Sequence, residues 1–191
     1  MHRKLVLFLL LCSSFRLSAQ DTLKVYSWEE ALKAPRDSVF ALDASHLKWE
    51  AIPAELYEFK KLKQLDISKN KLTDLPSEFG VFKNLLVIDA SRNKMDHFPI
   101  GLCQLTGLHK LLLSRNFMTT LPECIGYFKN LTYLDLWDNP IGELPEQLGK
   151  LTALKTVDLR GILFNQKFQD GWRAKMPQVK WLFDAPCECI K

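Results

Sequence analysis

Aspartate returns in one 23-residue register: Asp43, Asp66, Asp89, Asp135 and Asp158 share it, with Leu112 where the series is interrupted. Carboxylates on stacked strands about 4.8 Å apart would form an oxygen ladder of the kind that can hold Ca²⁺. Lys69, Arg92 and Arg115, with Lys48, Lys71 and Lys94, recur at the same interval. A solvated face on which basic and acidic columns neutralise each other is therefore preferred, and no metal site is assigned. Cys187-x-Cys189 would suit zinc only with a second ligand pair at suitable spacing, which the sequence lacks. The three histidines outside the first residues, His46, His97 and His109, occupy different points of the register and do not converge. No Gly-rich phosphate loop, His-Glu-x-x-His or Gly-x-Ser-x-Gly occurs. The expectation is a chain without catalysis and without a cofactor.

The register itself is the dominant signal. An apolar residue stands at Val39, Leu62, Leu85, Leu108, Leu131 and Leu154, each 23 after the last, and these define position 0 of six units. Position 3 reads Leu42, Leu65, Ile88, Leu111, Leu134, Val157, and position 5 reads Ala44, Ile67, Ala90, Leu113, Leu136, Leu159. Alternation with polar neighbours predicts a short strand with one buried face. Asn70, Asn93, Asn116 and Asn139 follow at position 8, where an amide can satisfy backbone groups that an inward turn would leave unpaired. An apolar-Pro pair then ends the ladder at Ile52-Pro53, Leu75-Pro76, Phe98-Pro99, Leu121-Pro122 and Leu144-Pro145. One unit cannot bury its own apolar side, so units must stack.

Segments such as Leu62-Lys-Gln-Leu65-Asp-Ile67-Ser-Lys-Asn70-Lys-Leu72, followed by Leu75-Pro76, resemble the leucine-rich repeat family, in its 23-residue form with Leu-Pro on the convex side. The resemblance covers residues 39 to 161. It implies an α/β architecture: a right-handed curved solenoid with a parallel sheet on the concave face and 3-10 or irregular structure on the convex side. It also implies protein binding and no reaction.

Hydrophobic residues at 47% and charged residues at 25% suit one globular domain and exclude disordered, collagen-like and coiled-coil chains. Residues 1–19 read as a secretory signal: His2-Arg3-Lys4, the apolar run Leu5 to Leu11, and a cleavage site at Leu17-Ser18-Ala19. The run is too short for a mature membrane span. Those residues hold Arg3, Lys4 and Arg16 and no acid, so without them the formal +4 nearly vanishes and with it any nucleic-acid footprint. The expected location is exported: periplasm, cell surface or medium. Residues 20–38 form an N-terminal cap, where Ser27-Trp28-Glu29-Glu30 fits a capping box opening a helix that Pro35 ends. Val25, Trp28, Ala31 and Leu32 are its candidates for covering the first unit. Residues 162–191 form the C-terminal cap. Phe164, Phe168 and Trp172 have helical spacing across Asn165 to Lys175, Pro177 follows, and Val179 to Phe183 reads as a strand. This ending with Cys187-x-Cys189 resembles the caps of small exported bacterial leucine-rich proteins. Four cysteines, Cys103, Cys124, Cys187 and Cys189, allow three pairings in an oxidising compartment. Cys103 and Cys124 stand at positions 18 and 16 of adjacent units, near in the stack but differing in direction along the return path.

Alternation along a strand sends positions 2, 4 and 6 out of the concave sheet, with 7 and 9 at its margin. The wording of that face changes in the units starting at Leu108 and Leu131: Leu112 replaces Asp, Trp137 replaces Ser, Tyr133 takes position 2 and Phe117 takes a position that is Lys in earlier units. Exposed apolar groups of this size, with Trp and Tyr among them, are the usual anchors of interfaces. Leu112, Phe117, Tyr133 and Trp137, rimmed by Asp135, Arg115 and Lys110, form the candidate partner site. The competing reading is local packing, with Trp137 flat over neighbouring strands and Phe117 tucked inward. A protein partner is expected first. A glycan or envelope polymer stacked on Tyr133 and Trp137 beside the Asp ladder, and a self-associating structural role, are the alternatives.

Overall fold

The computed structural model describes residues 23–188; the signal assigned to residues 1–19, and Cys189, lie outside the described residues. Eight three-residue strands form one parallel sheet in chain order: β1 (Val25–Ser27), β2 (Ala41–Asp43), β3 (Gln64–Asp66), β4 (Val87–Asp89), β5 (Lys110–Leu112), β6 (Tyr133–Asp135), β7 (Thr156–Asp158) and β8 (Lys180–Leu182). From β2 to β7 every residue pairs with the one 23 further on, as Leu42 with Leu65 and Leu65 with Ile88. The central residue of each of these strands points inward and is buried, while its two neighbours face out.

Strands stop at three residues because the chain must turn into the core. Position 7 adopts a left-handed backbone in all six units, at His46, Lys69, Arg92, Arg115, Asp138 and Gly161, with φ between 54 and 76°. The Asn that follows is buried and closes the turn. Asn93 Nδ2 donates to the carbonyls of Ile67 (3.1 Å), Ala90 (3.0 Å) and Ser91 (3.3 Å), and its Oδ1 accepts from the Leu72 N–H at 3.0 Å. Asn70, Asn116 and Asn139 repeat the arrangement, accepting from Trp49, Met95 and Met118. Each amide thus links its own turn to the preceding unit.

The return path is a series of 3-10 turns, Ala54–Glu58, Ser77–Val81, Ile100–Gln104, Glu123–Tyr127 and Glu146–Lys150, each entered through a Pro. Pro fits there because the first helical N–H has no internal acceptor to lose. The turns pack closely: a Cβ on Gly101 would lie 2.2 Å from the Pro76 carbonyl oxygen, so only Gly permits this approach. Position 17 (Leu56, Phe79, Leu102, Ile125, Leu148) and position 20 (Phe59, Phe82, Leu105, Phe128, Leu151) fill the space behind the sheet, all at most 2% exposed. Each such side chain removed from water contributes about 1.5–3 kcal/mol.

Both ends are closed. Ser27 Oγ accepts the Glu30 N–H and Glu30 Oε2 accepts the Ser27 N–H, the expected capping box, at the start of helix α1 (Trp28–Lys33). Ala31 is buried and Trp28 packs edge-on against Trp49, but Val25 is 55% and Leu32 38% exposed, so these two do not cover the first unit. The reason is β1, which the sequence pattern does not announce: Val25 pairs with Ala41 and therefore points out of the sheet. Leu32 lies one residue past Ala31, about 100° around the helix from the packed side. At the other end helix α2 (Gln166–Lys175) begins at an Asn165 side chain accepting the Phe168 N–H, and buries Trp172. Trp181 of β8 packs against Trp172 and stacks on Phe183, so the final strand and helix share one aromatic seal.

Two substitutions in adjacent turns should shift stability in opposite directions. Asn93→Ala leaves the buried Leu72 N–H without an acceptor and takes one of two donors from each of the Ile67, Ala90 and Ser91 carbonyls, and should cost about 1–3 kcal/mol. Lys69→Gly relieves a left-handed backbone and should gain about 0.5–1 kcal/mol. Urea unfolding followed by circular dichroism measures both; a neutral Asn93→Ala would refute the account of the turn.

Candidate functional site

The outward residues of β5 and β6 and the turns that follow them carry the candidate side chains. Cross-strand pairing sets Lys110 beside Tyr133 and Leu112 beside Asp135. Leu112, Tyr133 and Trp137 are half-buried on the sheet face. Trp137 does not lie bare: the Arg115 guanidinium sits over its ring, Cζ 4.3 Å from the centroid, and Arg115 Nε lies 3.5 Å from Asp138 Oδ2. One charged side chain thus covers the indole and faces Asp138 as an ion pair, its buried Nε making no hydrogen bond. Phe117 stands apart on the margin and is 59% exposed, so it does not tuck inward.

The acidic column is organised by the backbone. The Oδ1 atoms of Asp43, Asp66, Asp89, Asp135 and Asp158 accept the N–H two residues on, at 2.8 to 3.2 Å, which ties each strand end to its turn. The expected neutralisation by the basic column differs in detail: among the described residues, no position-7 Lys or Arg comes within ion-pair distance of these carboxylates. Lys69 acts on Asp89 only through space. The one direct pair comes from position 6, where Arg160 grips the buried Asp158 through Nε to Oδ1 at 3.0 Å and Nη2 to Oδ2 at 2.6 Å. Burial pushes the carboxyls of Asp66, Asp89 and Asp135 above the usual range, against the lowering effect of Ser68, Ser91, and Trp137 with Ser114. Burial, then the charges of Asp135 and Asp158, raises the Tyr133 hydroxyl as well, keeping it a neutral donor. Among the described residues no group of three or more His, Cys, Asp or Glu side chains could hold a metal.

The cysteines lie elsewhere. Cys103 and Cys124 are disulfide-bonded with Cα atoms 5.7 Å apart, joining adjacent 3-10 turns behind the sheet. The directions along the return path therefore do not keep them apart. Cys187 is disulfide-bonded too. No helix among the described residues is long and apolar enough to cross a membrane.

One strand, one turn and one return per 23 residues, with all strands parallel and in chain order, define a solenoid repeat protein built to present a face rather than enclose a cavity. Residues 60–118 and 130–151 match family models described as leucine rich repeat, and the chain is a leucine-rich repeat protein. A leucine-rich repeat protein of Leptospira interrogans is similar over 78% of this chain and 43% of its own, with 26% identity and a TM-score of 0.62. The ectodomain of the Arabidopsis receptor kinase HAESA, solved with an N-terminally extended IDA peptide hormone, is similar over 77% of this chain and 26% of its own, with 28% identity and a TM-score of 0.62. The chain thus spans less than half the length of either solved relative. No curated protein matches the sequence.

The raised carboxyls predict a pH signature. A folded pKa above the unfolded one means that the folded chain binds the proton more tightly. Ionisation of the column therefore costs stability at neutral pH, and that cost is relieved as pH falls through the folded pKa toward the ordinary carboxylate value. Asp89→Asn keeps an acceptor for the Ser91 N–H and removes the buried charge. It should raise the urea midpoint at about pH 7.5, with the advantage over wild type shrinking by about pH 4.5. A constant difference across that range would show that burial of the charge is not the cause.

Proposed function

We propose that the chain is an exported protein-binding module whose sheet face, centred on Leu112, Tyr133 and Trp137, docks a protein partner. Leucine-rich repeat domains generally mediate protein binding and are generally not enzymes, and one solved relative is a receptor ectodomain in complex with a peptide. The observation that carries the reading is the break in the acidic column at Leu112, beside a Trp137 already fixed by Arg115. A preset apolar centre with a charged rim loses little conformational entropy on binding. The Arg115 guanidinium over the indole also favours a protein partner over a sugar ring, which would need that face free to stack. The leader at residues 1–19 supports export, and it directs the protein to the periplasm, cell surface or medium.

Cross-linked pull-down from the native cell envelope tests the site. A Leu112, Tyr133 and Trp137 to Ala variant, confirmed folded by circular dichroism, should lose the protein that wild type captures. Equal capture would remove the site, and binding only on a glycan array would replace the protein with a sugar. Mass spectrometry of the exported chain should find an N-terminus at Gln20; a chain beginning at Met1 would refute cleavage.

A further inference from the structure

The margin of the sheet face changes chemistry halfway along the solenoid. Position 9 reads Lys48, Lys71, Lys94, then Phe117, Pro140, Leu163, and all six are exposed. The backbone sets this column. The N–H groups of Lys71, Lys94 and Phe117 donate to the carbonyls of Trp49, Leu72 and Met95 at 2.7, 2.8 and 2.8 Å, one unit back in each case. These three positions therefore share the spacing of the stack, and Pro140 and Leu163 continue their register, each after a residue buried at position 8.

Each half offers a partner a different kind of contact. In the first, position 7 adds His46, Lys69 and Arg92 beside the lysines, and among the described residues only Lys71 has a direct carboxylate partner, Glu50 at 3.0 Å, whose charge also acts on Lys94 through space. Lys48, Lys69, Arg92 and Lys94 have no carboxylate within 4.0 Å among the described residues. Like charges in a column repel, and an incoming carboxylate relieves several at once. In the second half Phe117 is 59% and Leu163 73% exposed, an apolar pair flanking Pro140 on a surface that elsewhere at this position is charged. Covering such groups contributes roughly 25 cal/mol per Å².

We propose that this margin binds an extended segment of a protein partner that carries carboxylates at one end and large apolar side chains at the other. The acids lie over Lys48, Lys71 and Lys94, and the apolar residues over Phe117, Pro140 and Leu163. At about 4.8 Å per unit the column is some 24 Å long, the reach of about seven extended residues. A uniformly anionic polymer would satisfy only the first half and an aliphatic chain only the second, so the order along the strip selects a peptide and fixes its direction. The proposal rests on the protein-binding reading but uses a different surface, since Lys94 and Leu163 take no part in the Leu112, Tyr133 and Trp137 centre.

Fluorescence anisotropy with a labelled seven-residue peptide Glu-Asp-Glu-Gly-Leu-Pro-Phe tests it. Wild type should bind this peptide with an affinity that falls as salt rises, and should bind its Gln-Asn-Gln counterpart about tenfold more weakly. Lys71→Glu with Lys94→Glu should lose about tenfold, and should bind a Lys-Lys-Lys version of the peptide better than wild type does. Leu163→Asp should lose about fivefold without a change in the circular dichroism spectrum, and Leu163→Met should retain binding. A Leu112→Ala, Tyr133→Ala, Trp137→Ala variant should bind the peptide within about twofold of wild type. No binding by wild type, or equal binding by wild type and the margin variants, overturns the proposal while leaving the pull-down result for the sheet face standing. Concentration-dependent light scattering abolished by Leu163→Asp overturns it as well, because the margin would then be an interface between copies of this chain.

Discussion

The structure depends on a buried side chain standing in for missing backbone. A three-residue strand followed by a left-handed residue brings main-chain carbonyls and an N–H into the interior where no neighbouring strand can reach them. The position-8 Asn meets that demand with both donors and acceptor, and the same bonds reach the preceding unit. Unit closure and unit stacking are therefore one interaction. Where the Asn is missing, at Leu47 and Ile162, other devices appear. The first turn uses two left-handed residues, His46 and Lys48, and the last uses Gly161, whose N–H is taken by Asp184 Oδ2 of the closing segment. Caps are thus required by hydrogen bonding as well as by exposed apolar surface.

What the sequence shows best is what the period repeats. Buried positions 0, 3 and 5, the Asn turn, the Pro entry to each return, the Ser27 capping box and the α2 helix all follow from local rules that tertiary structure does not override. Three features escape because they depend on contacts with no local signature. β1 is a strand only because β2 offers it an edge. Cys103 and Cys124 differ by two positions along the return path, yet the tight turns bring their Cα atoms to 5.7 Å. The carboxylate column looks like one side of an ion-pair lattice, but a backbone N–H two residues away is already in place, whereas a lysine must give up side-chain freedom to arrive.

The candidate site follows from a substitution within that column. Asp135 already raises the carboxyl of Asp89 across the gap at Leu112. A further carboxylate between them would add repulsion on a face where burial disfavours charge. Leu112 removes that charge and leaves a half-buried apolar spot. It also takes the usual acceptor from the turn behind it: the Ser114 hydroxyl instead reaches across to Asp135. Lys110, Tyr133 and the Arg115-Trp137 pair then surround a place where the repeating polar surface has stopped. The residues were visible in the sequence, but their mutual support was not, because stacking of a guanidinium on an indole one unit away depends on side-chain conformation.

A solenoid of this kind has few ways to recognise a partner except by the wording of its outward positions, because each unit's backbone is already committed to its neighbours. Departures from the repeat are therefore where specificity can reside, provided that they do not serve folding. Leu112 and Trp137 meet this condition only in part, since one relieves charge crowding and the other is packed under Arg115. Phe117 and Leu163 meet it more fully. Their main-chain positions are fixed by the stack and the cap, and their side chains, 59% and 73% exposed, give little to the core. Residues that cost solvation and return nothing to stability are the ones whose presence calls for a contact outside the chain.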